Sequence, residues 1–334
     1  MEPVNLFVGR LRRDILLPVN GPPLIDVPGG DLLYAAAGFL IWGKDAGLLA
    51  RVGEDYPRAW LKLFEDLGLN TKGIHILPED MDLRNFLAYN DEFERQLTNP
   101  LAHFKRLGLP FPKILLGYQP TGQQKESLME NDASLPRPAE IPEEYLDARC
   151  VHLCAMEYTT VSRLISKFRD SHVTTMTVDP LAGWMEPTNW SEVCLILPGL
   201  TAFLPSEEEM RSLFIGKSTD LIEMTEALAG EGCELIVVKC GAQGQLLYET
   251  GSHKCTRIPA YAVEPRDATG VGASFCGGFM AGLHSTYDPL LAVLHGNISA
   301  SLTMEGSGAF HILDSHPGLA QARLDSLKDA VRIL

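Results

Sequence analysis

The stretch 267-DATGVGASFCGGF-279 places a glycine loop directly before a run of small and apolar residues. From Ser274 onward, Phe275, Phe279 and Leu283 recur every four residues, which predicts a helix that begins in the loop. The first turn of a helix has N–H groups without partners, and glycines let a ligand come close to them, so the loop suits phosphate. A tight turn before a closely packed helix explains the loop alone equally well. The loop is not a P-loop, because no Gly-Lys-Ser/Thr follows it, and it is a poor dinucleotide fingerprint.

Short apolar runs that are typical of strands alternate with amphipathic segments along the rest of the chain. The predicted strands are VNLFVG (4–9), AGLLARVG (46–53), CVHLCAM (150–156), VTTMTVDP (173–180), CLILPG (194–199) and ELIVVKCG (234–241). The predicted helices are 57–68, 206–216, 218–232 and the C-terminal segment 316–334. Strands that alternate with helices predict a mostly parallel sheet with helices on both faces, and ligands bind such sheets beyond the carboxyl ends of the strands.

The composition excludes several classes of function. The chain has 334 residues and a formal net charge of -15, which disfavours binding to nucleic acid or to an anionic membrane surface. We find no signal peptide and no transmembrane run, so we expect a cytoplasmic protein. The seven cysteines have irregular spacing, which indicates reduced thiols. Cys150, His152 and Cys154 alternate as in a strand, and we interpret them as structural rather than as a metal site.

The segment 79–147 is rich in Pro, Asp, Glu and Asn, and it predicts irregular connections and short strands, part of which cover the site.

Several other segments of the chain resemble the sequence motifs of one known family. The loop at 267–279 resembles the C-terminal signature of the ribokinase/PfkB family of carbohydrate kinases, commonly D-T-x-G-A-G-D-x-F-x-G-G-F. Further segments resemble family motifs in family order: 28–43, 47–74, VDP at 178–180, PSEEEM at 205–210, 237–248 and 295–309.

This resemblance implies a fold and a reaction. The fold is a ribokinase-like three-layer α/β/α sandwich with a mostly parallel central sheet and a small β lid. Residues 1–334 would form a single domain, with lid strands inserted from roughly 10–30 and 75–120. The reaction is ATP-dependent phosphotransfer to a hydroxyl of a sugar, a nucleoside or a similar small molecule. ATP and Mg²⁺ are the implied cofactors, K⁺ is used by some members, and a homodimer through the lid is common in the family.

The family roles are carried over position by position, as implications of the resemblance. The backbone of Gly270, Val271 and Gly272 would form an anion hole for the transferred phosphate. Glu209 would organise Mg²⁺ through water, and Asp267 matches a position that helps to bind a monovalent cation. The residues implied at the nucleotide are Ser206, Lys239, Gly241, Gly244 and Asn297, and those implied at the substrate are Gly29, Gly30, Asp31 and Tyr34.

Three positions depart from the family pattern. Ala273 occupies the position of the family's catalytic Asp, Tyr34 that of an Asn in the sugar segment, and Ser206 that of an Asn near the metal. An alanine methyl accepts no proton, and loss of a general base costs roughly 10²–10⁴-fold in rate. Asp267 is a weak candidate for a substitute base, and Asp31 is better suited to bind substrate hydroxyls. Two interpretations follow: a slowed kinase, or a catalytically silent relative that binds nucleotide or sugar and acts by interaction.

Overall fold

A ten-stranded sheet forms the centre of the protein. The computed structural model describes residues 4–90, 94–120 and 132–333. The strands are β1 (Asn5–Val8), β2 (Arg12–Leu17), β3 (Leu24–Gly29), β4 (Ala46–Gly53), β5 (Leu69–Leu77), β6 (Arg84–Tyr89), β7 (Arg95–Gln96), β8 (Cys150–Leu153), β9 (Thr175–Val178), β10 (Ala202–Phe203), β11 (Leu235–Lys239), β12 (Gln245–Glu249), β13 (Lys254–Ile258) and β14 (Arg332–Ile333). The central order is β14-β13-β12-β11-β10-β9-β8-β1-β4-β5. Pairing is parallel from β5 to β11 and antiparallel from β11 to β14.

Helices cover both faces of this sheet. They are α1 (Asp31–Leu40), α2 (Arg58–Asp66), α3 (Pro100–Arg106), α4 (Tyr158–Arg169), α5 (Trp190–Ile196), α6 (Glu207–Leu213), α7 (Leu221–Ala229), α8 (Val271–Thr286), α9 (Pro289–Met304) and α10 (Leu319–Lys328). Alternate residues of β1 point to opposite layers: Leu6 and Val8 pack with α4 to α7, while Phe7 packs on the side of α1. The observed arrangement is the predicted three-layer α/β/α sandwich.

A second sheet of four strands, which we call the lid, lies outside the central sheet. Its order is β3-β2-β6-β7, with β2 and β6 parallel and the two outer pairs antiparallel. Ile15, Leu17 and Phe86 bury their side chains in a small core of their own with Phe104 and Leu115. The predicted small β lid is therefore present, and the assignment of the whole chain to one domain stays a prediction.

The predicted strand at 194–199 is wrong. Its first residues form the end of α5, and the strand at this place in the sheet is β10, a few residues later. Val193, Ile196 and Leu197 are buried while Leu195 is 69% exposed, which is the three- and four-residue spacing of a helix. A short apolar run that ends in Pro and Gly fits a strand and a buried helix equally well. Here the run continues α5, which begins in the residues before it.

Helices α1 and α8 approach each other unusually closely. A Cβ atom added to Gly277 of α8 would lie 1.8 Å from the carbonyl oxygen of Ala35 in α1. A Cβ atom added to Gly38 of α1 would lie 2.2 Å from the carbonyl oxygen of Ser274 in α8. The two backbones therefore touch at reciprocal glycines, and this contact sets the position of the α8 N-terminus.

We expect Gly277→Ala to destabilise the protein by about 1–3 kcal/mol, because the added methyl group forces α1 and α8 apart. Gly230→Ala at the end of α7 is the control, since its Cβ would meet no atom closer than 3.5 Å. Thermal unfolding of the three proteins side by side measures the effect. Equal midpoints for Gly277→Ala and the parent would show that the helices can separate without cost.

Candidate active site

The cleft between the lid and the central sheet has a volume of about 1150 Å³. Residues that follow the carboxyl ends of neighbouring parallel strands meet at its floor: Glu157 after β8, Asp179 after β9, Ser206 after β10, and Lys239 at the end of β11. The lid contributes the opposite wall through β2, β6 and β7. This is the edge at which open parallel sheets bind their ligands.

Most of the site residues predicted from the sequence line this one cleft. They are Gly30, Asp31, Tyr34, Ser206, Glu209, Lys239, Gly241, Gly270, Val271, Gly272, Ala273 and Asn297. The other three, Gly29, Gly244 and Asp267, lie behind its wall. A Cβ atom on Gly29 would collide with the Asp14 carboxylate, and one on Gly244 would lie 1.9 Å from the carbonyl oxygen of Ile258. These two glycines make room for their neighbours, and the ligand roles of all fifteen residues stay predictions.

Helix α8 begins at Val271, three residues earlier than the sequence pattern predicted. Gly270 adopts a left-handed conformation with φ of 71° at the N-cap, which glycine permits without strain. No side chain caps this end, and among the described residues the N–H groups of Gly272 and Ala273 have no hydrogen-bond partner. The uncapped first turn opens into the cleft and carries the positive end of the helix dipole.

Lys239 places a cation beside this helix end. Its Nζ donates a hydrogen bond of 2.6 Å to Asp179 Oδ1, and it lies 3.7 Å from where a Cβ of Gly272 would stand. Both side chains of the pair are nearly buried, at 13% and 10% exposure. Burial alone would lower the pKa of Lys239, but Asp179 and the other nearby acidic groups, Cys276 and Glu209, raise it above its usual value. Lys239 is therefore a permanent ammonium and not a base.

Ser206 and Glu209 form a reciprocal cap at the start of α6. The Ser206 backbone N–H donates to Glu209 Oε2 at 2.7 Å, and the Glu209 N–H donates to Ser206 Oγ at 3.2 Å. Burial raises the pKa of Glu209, partly offset by the charge of Lys239. Ser206, which departs from the family pattern, thus caps the helix, and the cap uses only one oxygen of Glu209.

Asp267 and Tyr34 bring two unsatisfied polar atoms to the back of the glycine loop. Asp267 is 0% exposed, its Oδ1 accepts the Thr269 N–H at 2.9 Å, and its Oδ2 has no partner among the described residues. The Tyr34 ring lies against the Cα of Gly270, and its buried hydroxyl likewise has no partner in the described part of the chain. Burial raises the pKa of Tyr34 well above its usual value, so the phenol stays neutral.

The amide of Asn297 is already fully engaged. Its Nδ2 donates to Gln245 Oε1 at 2.7 Å and to the Pro259 carbonyl at 2.8 Å, while its Oδ1 accepts the Tyr261 N–H at 2.9 Å. These bonds tie α9 to β12 and to the segment after β13. Asn297 therefore shapes the wall on which the adenine ring is expected, and that expectation stays a prediction.

Sequence reasoning missed the part of the cleft wall that the lid supplies. The missed acids are Asp14 on β2, hydrogen-bonded to Asn85 Nδ2 at 2.9 Å, Asp82 before β6, and Asp132 and Glu157, which lie outside the lid strands. The missed arginines are Arg10, Arg12 and Arg95. The only sequence signal for these residues is the run RLRRD directly after the first strand. Charged residues are unusual next to a sheet that helices cover on both faces, so the run indicates a different environment.

Besides Glu209, two further carboxyl groups of the cleft have raised pKa values. Asp14 is 1% exposed, and burial raises its pKa to about 7, with the nearby charge of Asp31 adding to the effect. Asp31 opens into the cleft, but the surrounding walls displace enough water to raise its pKa, and Asp179 adds to this shift. With a pKa near 7, the Asp14 carboxyl group can donate as well as accept hydrogen bonds near neutral pH.

The described residues also bear on metal binding, on the cysteines and on membrane-spanning helices. Within the described ranges no cluster of three His, Cys, Asp or Glu side chains could hold a metal ion. Cys150 and His152 lie buried on β8 and Cys154 follows it, which agrees with their structural interpretation, and all seven cysteines are free. In the same ranges, none of the helices is both long and apolar enough to cross a bilayer.

Comparison with known proteins shows which family this chain is similar to. Residues 159–315 match the family model described as pfkB family carbohydrate kinase. The cytidine kinase of Thermococcus kodakarensis is 25% identical over 284 residues, which cover 83% of this chain and 87% of the relative. The predicted resemblance to the ribokinase/PfkB family is confirmed, and so is the kinase class that it implied.

Solved structures show the same fold. A protein from E. coli assigned as ribokinase II superimposes with a TM-score of 0.73 at 16% identity, covering 97% of this chain and 99% of that one. A second structure of that protein contains ATP and Mg²⁺. A nucleoside kinase from Burkholderia thailandensis in complex with inosine gives a TM-score of 0.70 at 15% identity, covering 97% and 98% of the two chains. The predicted ribokinase-like fold is confirmed.

The raised pKa of Asp14 predicts a pH-dependent stability. The unfolded chain loses this proton near pH 4, roughly, and the folded chain only near pH 7, so stability falls as pH rises through that window. Asp14→Asn has no such proton to lose. We therefore expect the stability advantage of the variant over the parent to grow from about pH 4 to pH 7, by at most roughly 1.4 kcal/mol per pH unit, and to level off above.

Thermal unfolding between pH 4 and pH 9 measures this difference. Asp80→Asn, which removes an exposed carboxylate, controls for the loss of one charge. A difference between Asp14→Asn and the parent that stays constant across this range would contradict a raised pKa at Asp14.

Proposed function

We propose that this protein binds ATP and a hydroxyl-bearing small molecule, a sugar or nucleoside, in its cleft, and that it catalyses phosphotransfer between them at a rate limited by Ala273. The observation that carries the proposal is the uncapped first turn of α8 with the Lys239 ammonium beside it. A helix N-terminus, glycines and a lysine together form a receptor for phosphate. The family match and the nucleoside kinase relatives support the same chemistry.

The nucleotide would lie along the side of the cleft formed by β10, β11 and α9. Gly241 adopts φ of 55°, and a Cβ there would meet no atom within 4 Å, so the loop after β11 leaves open space for a ligand. Ala242, Gln245 and Asn297 continue this wall. The phosphates would then extend from this wall to Lys239 and the first turn of α8.

The side chains fit Mg²⁺ that is held mainly by the nucleotide. Mg²⁺ keeps several waters and binds nucleotide phosphates with one or two carboxylates. Glu209 offers one carboxylate oxygen that is not used by its cap, while Asp179 is paired with Lys239. When bound, Mg²⁺ would neutralise charge on the phosphates, and Glu209 would hold its water shell. The unpartnered Asp267 Oδ2 fits a monovalent cation behind the loop.

Ala273 removes the expected proton acceptor from the site. It is 5% exposed at the cleft surface, and its methyl group accepts no proton. In phosphotransfer the acceptor oxygen forms a bond to the γ-phosphorus, the bond from that phosphorus to the bridging oxygen breaks, and the acceptor proton leaves. Asp179 is tied to Lys239, so the proton would pass to Asp31 or to water. The positioning of both substrates is retained, because it depends on α8, Lys239 and the lid.

The missing base also favours a second candidate function, a catalytically silent relative that binds nucleotide or sugar. Tyr34 strengthens this alternative, because its ring fills the space against Gly270 where the family has an asparagine. Both functions require that the cleft binds a ligand, nucleotide or sugar, and they differ in turnover. A cytoplasmic location, which agrees with seven free cysteines, and a homodimer through the lid remain part of the proposal.

We expect Ala273→Asp to raise the rate of ATP-dependent phosphotransfer by roughly 10²–10⁴-fold, because the carboxylate supplies the general base. Ala273→Asn is the matched control, since it has the same shape and no basic oxygen of that strength. Release of ADP is measured with Mg²⁺ and K⁺ over a panel of sugars and nucleosides. If neither variant turns over any acceptor while both bind ATP, the silent relative is the better description.

Nucleotide binding is tested separately by the double variant Lys239→Met, Asp179→Asn. Replacing both members avoids leaving an unpaired buried charge. Loss of one charge-assisted hydrogen bond of about 1.5–3 kcal/mol predicts a weakening of ATP affinity of roughly ten- to hundredfold. Calorimetry at fixed Mg²⁺ measures it, with Lys217→Met, an exposed lysine away from the cleft, as control. Unchanged ATP affinity would remove Lys239 from the phosphate site.

A further inference from the structure

Arg12 is a half-buried arginine without a carboxylate partner. The other half-buried or buried arginines of the described chain each contact at least one carboxylate: Arg10, Arg13, Arg51, Arg84 and Arg323. For Arg12 no ion pair and no side-chain hydrogen bond is formed within those ranges, although Asp14, Asp31 and Asp132 lie near enough to act on its charge. Burial, and then the neighbouring Arg10, lower the pKa of Arg12. A guanidinium withdrawn from water is costly unless an anion meets it.

Because Arg12 lines the cleft, an anion that pairs with it would lie in the cleft. The Cγ atom of Arg12 would lie 3.2 Å from a Cβ on Gly30, so its stem packs on the glycine segment that opens α1. Its side chain lines the cleft on the lid side, whereas Lys239 and the start of α8 line the sheet side. Arg12 and the phosphate receptor thus belong to different walls, with Asp31 between them.

Two of the three nearby acids already have partners. Asp132 pairs with Arg10 at 3.1 Å, and Asp14 accepts the amide of Asn85. Asp31 is the third, and it forms no ion pair with Arg12 among the described residues, so the Arg12 guanidinium at the cleft wall is left without a partner. A planar guanidinium with five donors matches a carboxylate or phosphate better than a neutral hydroxyl.

We propose that the acceptor molecule carries a negatively charged group, a carboxylate or a phosphate, which Arg12 binds at the end remote from the phosphorylated hydroxyl. This inference rests on the proposed function, since it names the acceptor class of the same site. It separates this protein from relatives whose acceptor is an uncharged nucleoside such as cytidine or inosine.

The test compares matched pairs of probes that differ in one anionic group. The pairs are D-gluconate with D-glucitol, D-glucose 6-phosphate with D-glucose, and D-ribose 5-phosphate with D-ribose, together with cytidine as a neutral nucleoside. Binding is measured by calorimetry without nucleotide and again with a non-hydrolysable ATP analogue and Mg²⁺, which occupies the α8 end of the cleft. The carboxylate and phosphate arms distinguish the two sources of charge.

We expect at least one anionic probe to bind ten times more tightly than its neutral counterpart. Arg12→Gln should reduce this preference at least tenfold, and Arg12→Lys, which keeps the charge without the planar fork, should reduce it less. Arg13→Gln is the control: Arg13 pairs with Asp26 outside the cleft, and the anionic preference should persist in it. If Arg12→Gln does not fold, the comparison uses Arg12→Lys instead, together with the loss of affinity for the anionic probe as salt is added.

Two results would overturn the inference. One is that no anionic probe is preferred over its neutral counterpart, whether cytidine or a neutral sugar binds instead or nothing binds. The other is that an anionic preference survives in Arg12→Gln. Both leave the proposed function standing when the ATP analogue still binds, whereas loss of nucleotide binding in the parent protein would contradict the proposed function itself.

Discussion

The backbone contact between α1 and α8 is the constraint on which the rest of the site depends. Gly38 and Gly277 remove the side chains that would hold the helices apart, and the helices meet through their backbones. This brings the start of α1, with Gly30 and Asp31, and the start of α8, with its uncapped turn, into the wall of the same cleft. One packing interface therefore sets the distance between these two parts of the wall, and a small shift in it would move them relative to each other.

The sequence predicted most of the fold and one half of the candidate site, for identifiable reasons. The glycine loop and the strand ends are local patterns, so their placement follows from short-range geometry. The strand predicted at 194–199 was wrong because an apolar run of that length fits both the two-residue period of a strand and the 3.6-residue period of a helix. The lid residues were missed because Arg12 and Asp14 reach the cleft through a sheet pairing between β2 and β6, across 71 residues in the case of Asp14 and Asn85. No local signal records such a pairing.

The cleft combines fixed cations with carboxyl groups of raised pKa. Lys239 and Asp179 form an ion pair, whereas Asp14 and Asp31 lie where burial disfavours charge. In an otherwise acidic protein, this arrangement would let a phosphate group approach with less repulsion than fully charged carboxylates would give. Ala273 follows the same trend, since it places a methyl group where the family pattern has an aspartate. Under the proposed function, these electrostatics favour an anion in the cleft and leave the first turn of α8 without a carboxylate.

The connectivity of the lid has a consequence for its motion. The chain enters the lid from β1 and returns to α1 after β3, then enters again from β5 into β6. Because β2 and β6 are parallel neighbours in the middle of the lid, both excursions are locked together by one ladder, with a small apolar core beneath. A movement of β2 therefore carries β6 with it, although the two segments lie far apart in the chain. A ligand that enters or leaves the cleft thus meets the two inserted segments as one sheet rather than as two independent hairpins.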